Sequence, residues 1–139
     1  VNYLLDTNAC IALINGRPPS VRTKFQTATE KGAKIFVSSI AAFELWYGVE
    51  ISSRREYNRK RLEAFFAGPL HPLLFANEDA EVAGAIRAEL EASGKPIGAY
   101  DLLIAGQAIR NKLTLVTATL SEFARIKTLN WTVWGKPEL

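Results

Sequence analysis

Val1-Asn2-Tyr3-Leu4-Leu5-Asp6 is a short apolar run that stops on an acid. Its adjacent leucines break the alternation of apolar and polar residues, as expected of a buried central strand. Helical spacing follows from about Asn8 to Ile14 and is closed by Asn15-Gly16 and Pro18-Pro19. Strand, acid and helix in immediate succession suit the opening unit of a parallel α/β sheet.

The same rhythm continues outward. Ser20 is suited to N-cap a helix to about Lys31, stopped by Gly32. Ile35-Phe36-Val37 reads as a second strand, and Ser38-Ser39 cap a helix from Ile40 to about Ile51 that carries Glu44. A charged helix from about Ser53 to Phe66 is broken by Gly68-Pro69. Leu70 to Phe75 reads as a third strand, which Pro72 places at an edge or shortens. Asn77 or Glu78 starts an amphipathic helix to about Ala92, closed by Ser93-Gly94. Gly98 to Arg110 is a further helix, whose Ala99, Ala105, Gly106 and Ala108 are expected to mark close helix packing. Leu113 to Thr117 is a fourth strand, a short helix follows near Leu120–Arg125, and Trp131 to Trp134 closes the far edge. This order predicts an α/β fold with a mainly parallel sheet, helices on both faces, and a single domain over residues 1–139.

A chain of 139 residues with 48% hydrophobic content is long enough for one real core. Lys and Arg number 17 against 14 Asp and Glu, a net charge of +3 that is compatible with a nucleic-acid partner without requiring one. The single cysteine, Cys10, excludes an internal disulfide and suits a reducing cytoplasm. Among Ala9, Ile11 and Ala12 it reads as a buried structural thiol. The lone His71 excludes a paired-histidine ribonuclease mechanism built from one chain, and no Cys/His zinc set is available. No apolar segment is long enough to predict a membrane span, and no signal-peptide pattern opens the chain. Because the chain starts at Val1 and holds no Met, an initiator residue is expected to have been removed or to lie outside this numbering.

Three acids carry the functional reading. Asp6 ends the first apolar run, Glu44 interrupts Ile40-Ala41-Ala42-Phe43-Glu44-Leu45-Trp46-Tyr47, and Asp101 opens Asp101-Leu102-Leu103-Ile104-Ala105. An acid on an apolar face is costly unless it is paired, protonated or bound to a cation. Parallel sheets bind ligands beyond the carboxyl ends of their strands, and Asp6, Glu44, Asp101 and Thr117-Ala118-Thr119 can all converge there. Two unit charges about 4 Å apart repel by roughly 4 kcal/mol at an effective dielectric near 20, so clustered acids hold a proton or recruit a divalent cation. Oxygen-only ligands favour Mg²⁺ or Mn²⁺, ions that support phosphodiester hydrolysis without histidine. Each acid also has a plain structural explanation. Asp6 can serve only as a helix N-cap, Glu44 can face solvent, and Asp101 can simply favour a helix start.

Other residues are open to both kinds of explanation. Thr7 and Asn8 can hydrogen-bond a carboxylate or satisfy free N–H groups at the helix start. Arg54, Arg55, Arg59, Lys60 and Arg61 form the densest basic patch, read as a solvated helix face, as an RNA backbone contact through Arg54, Arg55 and Arg59, or as a contact for a partner's acidic groups. Trp46 and Tyr47 suit a core or a dimer interface better than a base-stacking platform.

At these residues the sequence resembles PIN-domain ribonucleases, and within them the VapC-type toxins of bacterial toxin–antitoxin pairs. The resemblance rests on Tyr3-Leu4-Leu5-Asp6-Thr7-Asn8, on Ser38-Ser39-Ile40 through Glu44-Leu45-Trp46-Tyr47-Gly48, on Pro96-Ile97-Gly98-Ala99-Tyr100-Asp101-Leu102-Leu103-Ile104-Ala105, and on Leu115-Val116-Thr117 to Glu122-Phe123. Four blocks in order span nearly the whole chain. The resemblance implies an α/β/α sandwich, Mg²⁺ or Mn²⁺ dependence, an RNA substrate, a homodimer, and a cognate antitoxin that blocks the active site. It assigns Asp6, Glu44 and Asp101 as the metal-binding and catalytic acids, with Asn8, Thr117, Thr119 and Glu122 in supporting places. The fourth block departs from the family pattern, because Thr119 stands where relatives commonly carry Asp or Asn. The expectation is one well-bound cation, held mainly by Asp6 and Asp101 with Glu44 direct or through water, and Glu122 as a substitute acid. The implied reaction is in-line attack by water on an RNA phosphodiester, with Glu44 orienting that water.

Competing classes fit less well. A haloacid-dehalogenase-like phosphatase would want a second acid where Asn8 stands, and a response-regulator receiver would want neighbouring acids near its start and a mid-chain phosphoacceptor. A PIN-like RNA-binding or scaffold module that has lost catalysis stays open because of Thr119.

Overall fold

The computed structural model describes residues 1–136. Strands and helices follow in the order β1 (Tyr3–Leu5), α1 (Thr7–Asn15), α2 (Pro19–Glu30), β2 (Ile35–Ser38), α3 (Ser39–Glu50), α4 (Arg55–Phe66) and β3 (His71–Leu73). The chain continues through α5 (Asn77–Ala92), α6 (Ala99–Arg110), β4 (Thr114–Val116), α7 (Leu120–Phe123) and β5 (Trp131–Thr132). All neighbouring strands are parallel, in the order β3-β2-β1-β4-β5. β1 therefore lies at the centre. Leu4 and Leu5, whose side chains point to opposite faces, are both fully buried, as are Leu115 and Val116 in β4. Burial on both sides of the sheet requires a helical layer on each, the predicted α/β/α sandwich.

The local chemistry explains the boundaries. α1 begins at Asp6, whose carboxylate accepts from the Ala9 N–H at 2.7 Å, and ends at Gly16 in the left-handed region at φ 68°. α3 begins at Ser38, whose hydroxyl accepts from the Ile40 N–H at 2.9 Å. β3 takes the sheet edge, where Pro72 removes no hydrogen bond from an inner ladder. α5 and α6 approach so closely that a Cβ on Gly106 would lie 2.9 Å from the Cβ of Ala83. Across the same junction the buried Asp79 accepts from Arg110 Nε at 2.7 Å and from the Ala76 N–H at 2.8 Å.

Two expectations need correction. Ser20 does not cap α2: the helix starts at Pro19, whose preset φ suits the first helical position, and the Ser20 hydroxyl donates instead to the Trp134 carbonyl at 2.8 Å. Ala99 is exposed at the start of α6, so the close packing of that helix belongs to Ala105, Gly106 and Ala108, which are buried. Cys10 is fully buried, as expected, and both its burial and the nearby Asp6 carboxylate push its thiol pKa up. No helix among the described residues is long and apolar enough to cross a membrane.

Candidate active site

Strand register builds the site. Leu5 is opposite Val37 on one side and Val116 on the other. One step further along the three central strands come Ser38, Asp6 and Thr117, side by side at the carboxyl edge. All three are buried, an unusual row of polar side chains at the edge of a mainly apolar core. Each is tied into its own turn. Asp6 and Ser38 cap α1 and α3, and the Thr117 hydroxyl accepts from the Thr119 N–H at 3.0 Å. Asp6 is therefore both the cap of α1 and a buried carboxylate at this edge.

α3 then carries Glu44 over this edge. Its Oε1 accepts a hydrogen bond from the Thr7 hydroxyl at 2.6 Å, linking the start of α1 to the second turn of α3. Asp101 arrives from the first turn of α6, and Glu122 from α7. Burial is the largest influence on the Asp101 carboxyl. A hydrogen bond with Glu122 and the negative charges of Glu122, Asp6 and Glu44 act in the same direction. Together they raise its pKa from 3.8 to about 7. The acids predicted from separate parts of the sequence thus share one electrostatic environment. Glu122 belongs to it, whereas Thr119, half-buried at the N-cap of α7, brings only a hydroxyl and its backbone N–H.

Among the described residues no three carboxylate, histidine or cysteine side chains are gathered closely enough to hold an ion as they stand. Asp101 and Glu122 lie close enough for the Glu122 carboxyl to raise the pKa of Asp101. Oxygen donors of like charge at one half-buried edge fit a hard divalent cation in chemistry and in charge.

The remaining predicted residues are placed less tightly. Asn8 is exposed on the first turn of α1. Arg55 and Arg59 both engage Glu50, at 3.5 and 2.9 Å, and the Arg54 guanidinium lies 4.0 Å from the Tyr57 ring centroid. That patch is largely paired with its own neighbours. Trp46 is half-buried and stacks on Phe66, while Tyr47 is exposed. Ser38 was legible as a cap but not as a member of the polar row, since its place there follows from register with β1.

The family model for the PIN domain matches residues 3–128. Ribonuclease VapC2 of Rickettsia felis is 40% identical over 134 residues, 96% of this chain and 98% of that protein. The tRNA(fMet)-specific endonuclease VapC of Salmonella typhimurium is 38% identical, over 96% of this chain and 98% of its own length. Among solved structures, VapBC2 from Rickettsia felis bound to a promoter DNA fragment superposes with a TM-score of 0.90 at 38% identity, covering 96% of this chain and 99% of that one. VapBC from Salmonella typhimurium bound to DNA gives a TM-score of 0.88 at 38% identity, covering 96% and 98%. With its acids converging at the carboxyl edge of a five-stranded parallel sheet, this chain belongs to the PIN domain family.

Proposed function

We propose that the protein is a toxin-type endoribonuclease dependent on Mg²⁺ or Mn²⁺ and inhibited by a cognate antitoxin. The observation that carries this reading is the convergence of Asp6, Glu44, Asp101 and Glu122 at one sheet edge, where burial first and then the neighbouring acids raise the Asp101 carboxyl pKa to about 7. The names of the relatives support the reaction class, and the complexes among the structural neighbours support the antitoxin.

Asp6 and Asp101 would hold the ion, with Glu44 reaching it directly or through water. When bound, the ion supplies positive charge against the phosphate oxygens and the departing sugar oxygen. Thr7 fixes one oxygen of Glu44 and leaves the other to orient the attacking water and take its proton. The water oxygen forms a new bond to phosphorus as the bond to the leaving sugar oxygen breaks. Glu122 supplies a carboxylate beside Asp101 that Thr119 does not, which weighs against the inactive scaffold alternative.

A groove of about 280 Å³ between α1, α3 and α4 ends at Glu44 and is walled by Ile11, Ile14, Leu45 and Val49. An antitoxin segment lying in that groove would reach the acids. The protein acts as a homodimer through the exposed side chains Phe43 and Tyr47 on one face of α3 and Ile51 at its C-cap, with the Tyr100 ring centroid 5.6 Å from that of Phe43.

Asp6→Asn, Glu44→Gln and Asp101→Asn test the reaction in a cleavage screen over tRNA and rRNA with Mn²⁺. Each is expected to lower the rate at least about 100-fold while leaving the circular dichroism spectrum intact. Asn at position 6 keeps the helix cap, so loss of activity there is not loss of fold. Undiminished cleavage by Asp101→Asn would overturn the assignment.

A further inference from the structure

A second hollow, of about 500 Å³, opens where α1 meets α2, the end of β4 and the segment after β5. Asn8, two residues past Asp6, and Ala118, beside Thr117, are among its lining residues, so it borders the sheet edge that carries the acids. Ala12, Val21 and the buried Trp134 form an apolar wall, and Arg17 and Lys136 line the same hollow. Among the described residues, no carboxylate pairs with either cation. They differ in this from Arg55 and Arg59, which are engaged by Glu50.

Resting on the ribonuclease reading above, we propose that this cavity receives one nucleoside of the RNA flanking the cleaved bond, with Arg17 and Lys136 on the adjoining phosphates. The argument is one of charge, shape and continuity. A cluster of acids repels every phosphate of a polyanion except the one held through a cation, so the neighbouring phosphates need basic groups close by. Among the described residues no carboxylate engages Arg17 or Lys136, so both are placed to supply them. Pockets that take small organic groups run from roughly 300 to 1,000 Å³, so the hollow accommodates a base and its ribose. The exposed amide of Asn8 lines the hollow, able to donate to a base edge or a sugar hydroxyl.

The test uses the full chain in the Asp101→Asn background, so that bound RNA is not consumed. Binding of a fluorescein-labelled single-stranded ribonucleotide hexamer is measured by anisotropy across a salt series. Arg17→Ala with Lys136→Ala is expected to raise Kd about tenfold and to flatten the salt dependence by about 1.4 in log–log slope, the share of two phosphate contacts on a single strand. Ala12→Phe, which fills the cavity without touching either cation, is a second arm. An abasic substitution at one position of the hexamer should weaken binding to the parent several-fold and leave Ala12→Phe unaffected. Parental Kd and slope in the double variant would overturn the proposal. So would normal RNA binding by that variant combined with escape from antitoxin inhibition, which would assign the basic pair to an acidic protein segment. Wild-type cleavage of the tRNA and rRNA screen reports on the ribonuclease reading separately, so either can fail alone.

Discussion

Thr7 Oγ1 donates to Glu44 Oε1 at 2.6 Å, joining two residues that lie 37 positions apart. A hydrogen bond to an ionised carboxylate is short and comparatively strong. It fixes the rotamer of Glu44 and does so without removing its charge. Thr7→Val preserves the shape and deletes the donor. Its kcat for RNA cleavage is expected to fall about tenfold, equivalent to about 1.4 kcal/mol, with little change in KM. Thr7→Ser should restore most of the rate. Undiminished kcat in Thr7→Val would remove Thr7 from the positioning of Glu44.

Asp101 makes stability depend on pH. Its pKa is raised from 3.8 to about 7 in the folded protein, so the folded state keeps a proton that the unfolded chain releases within that window. Stability must then fall as pH rises through it. Metal-free protein is expected to lose roughly 1–2 kcal/mol between pH 4.5 and 7.5, a figure reduced for solvent screening at a partly exposed group. Asp101→Asn should flatten that part of the profile and melt higher than wild type at pH 7.5. Saturating Mn²⁺ should restore much of the loss in wild type and less in Asp101→Asn. A metal-free melting temperature that rises over this range would contradict the shift.

Asp79 behaves in the opposite sense. Burial alone would raise its pKa, but hydrogen bonds from Arg110, the Ala76 N–H and Asn111, with the charge of Arg110, outweigh it and hold the pKa below 3.8. Its stabilisation is therefore fully present above the ordinary carboxylate range and is lost as pH falls through the depressed value. Asp79→Asn removes the charge that anchors Arg110 of α6 and weakens the start of α5. Thermal or urea unfolding at pH 7 should report a loss of about 2 kcal/mol, shrinking towards zero near pH 2. An equal loss at both pH values would mean that shape, and not charge, holds that junction.

Much of this was legible in the sequence because local chemistry agrees with the final fold. The unbroken apolar run before Asp6, the Ser38 cap and the Gly16 stop each mark an element boundary where the chain uses one. Pro72 implies a strand that is at an edge or short, and β3 is both. The acids stood out because their apolar neighbours make solvation an incomplete explanation. What escaped depends on contacts distant in sequence. Ser20 found a carbonyl 114 residues away, and Ser38 entered the polar row only through register with β1. The cavity beside Asn8 is assembled from segments at both ends of the chain, so no local pattern announces it.

The exposed aromatic face gives the last expectation. Phe43 and Tyr47 are 54% and 58% exposed, and Tyr100, in edge contact with Phe43, is 46% exposed. Such side chains cluster where water is excluded by a partner. Because α3 also carries Glu44 and α6 carries Asp101, pairing of two copies through this face would set their acid sites close to one shared seam. A single RNA could then be gripped from both sides. Tyr47→Arg with Phe43→Glu should convert a dimer to a monomer by light scattering, with a change in unfolding free energy within about 0.5 kcal/mol, since both side chains are at the surface. Cleavage of long structured RNA should weaken more than cleavage of a short oligomer, because only the former reaches both sites. A variant that stays dimeric would place the interface elsewhere and leave these aromatics to another partner.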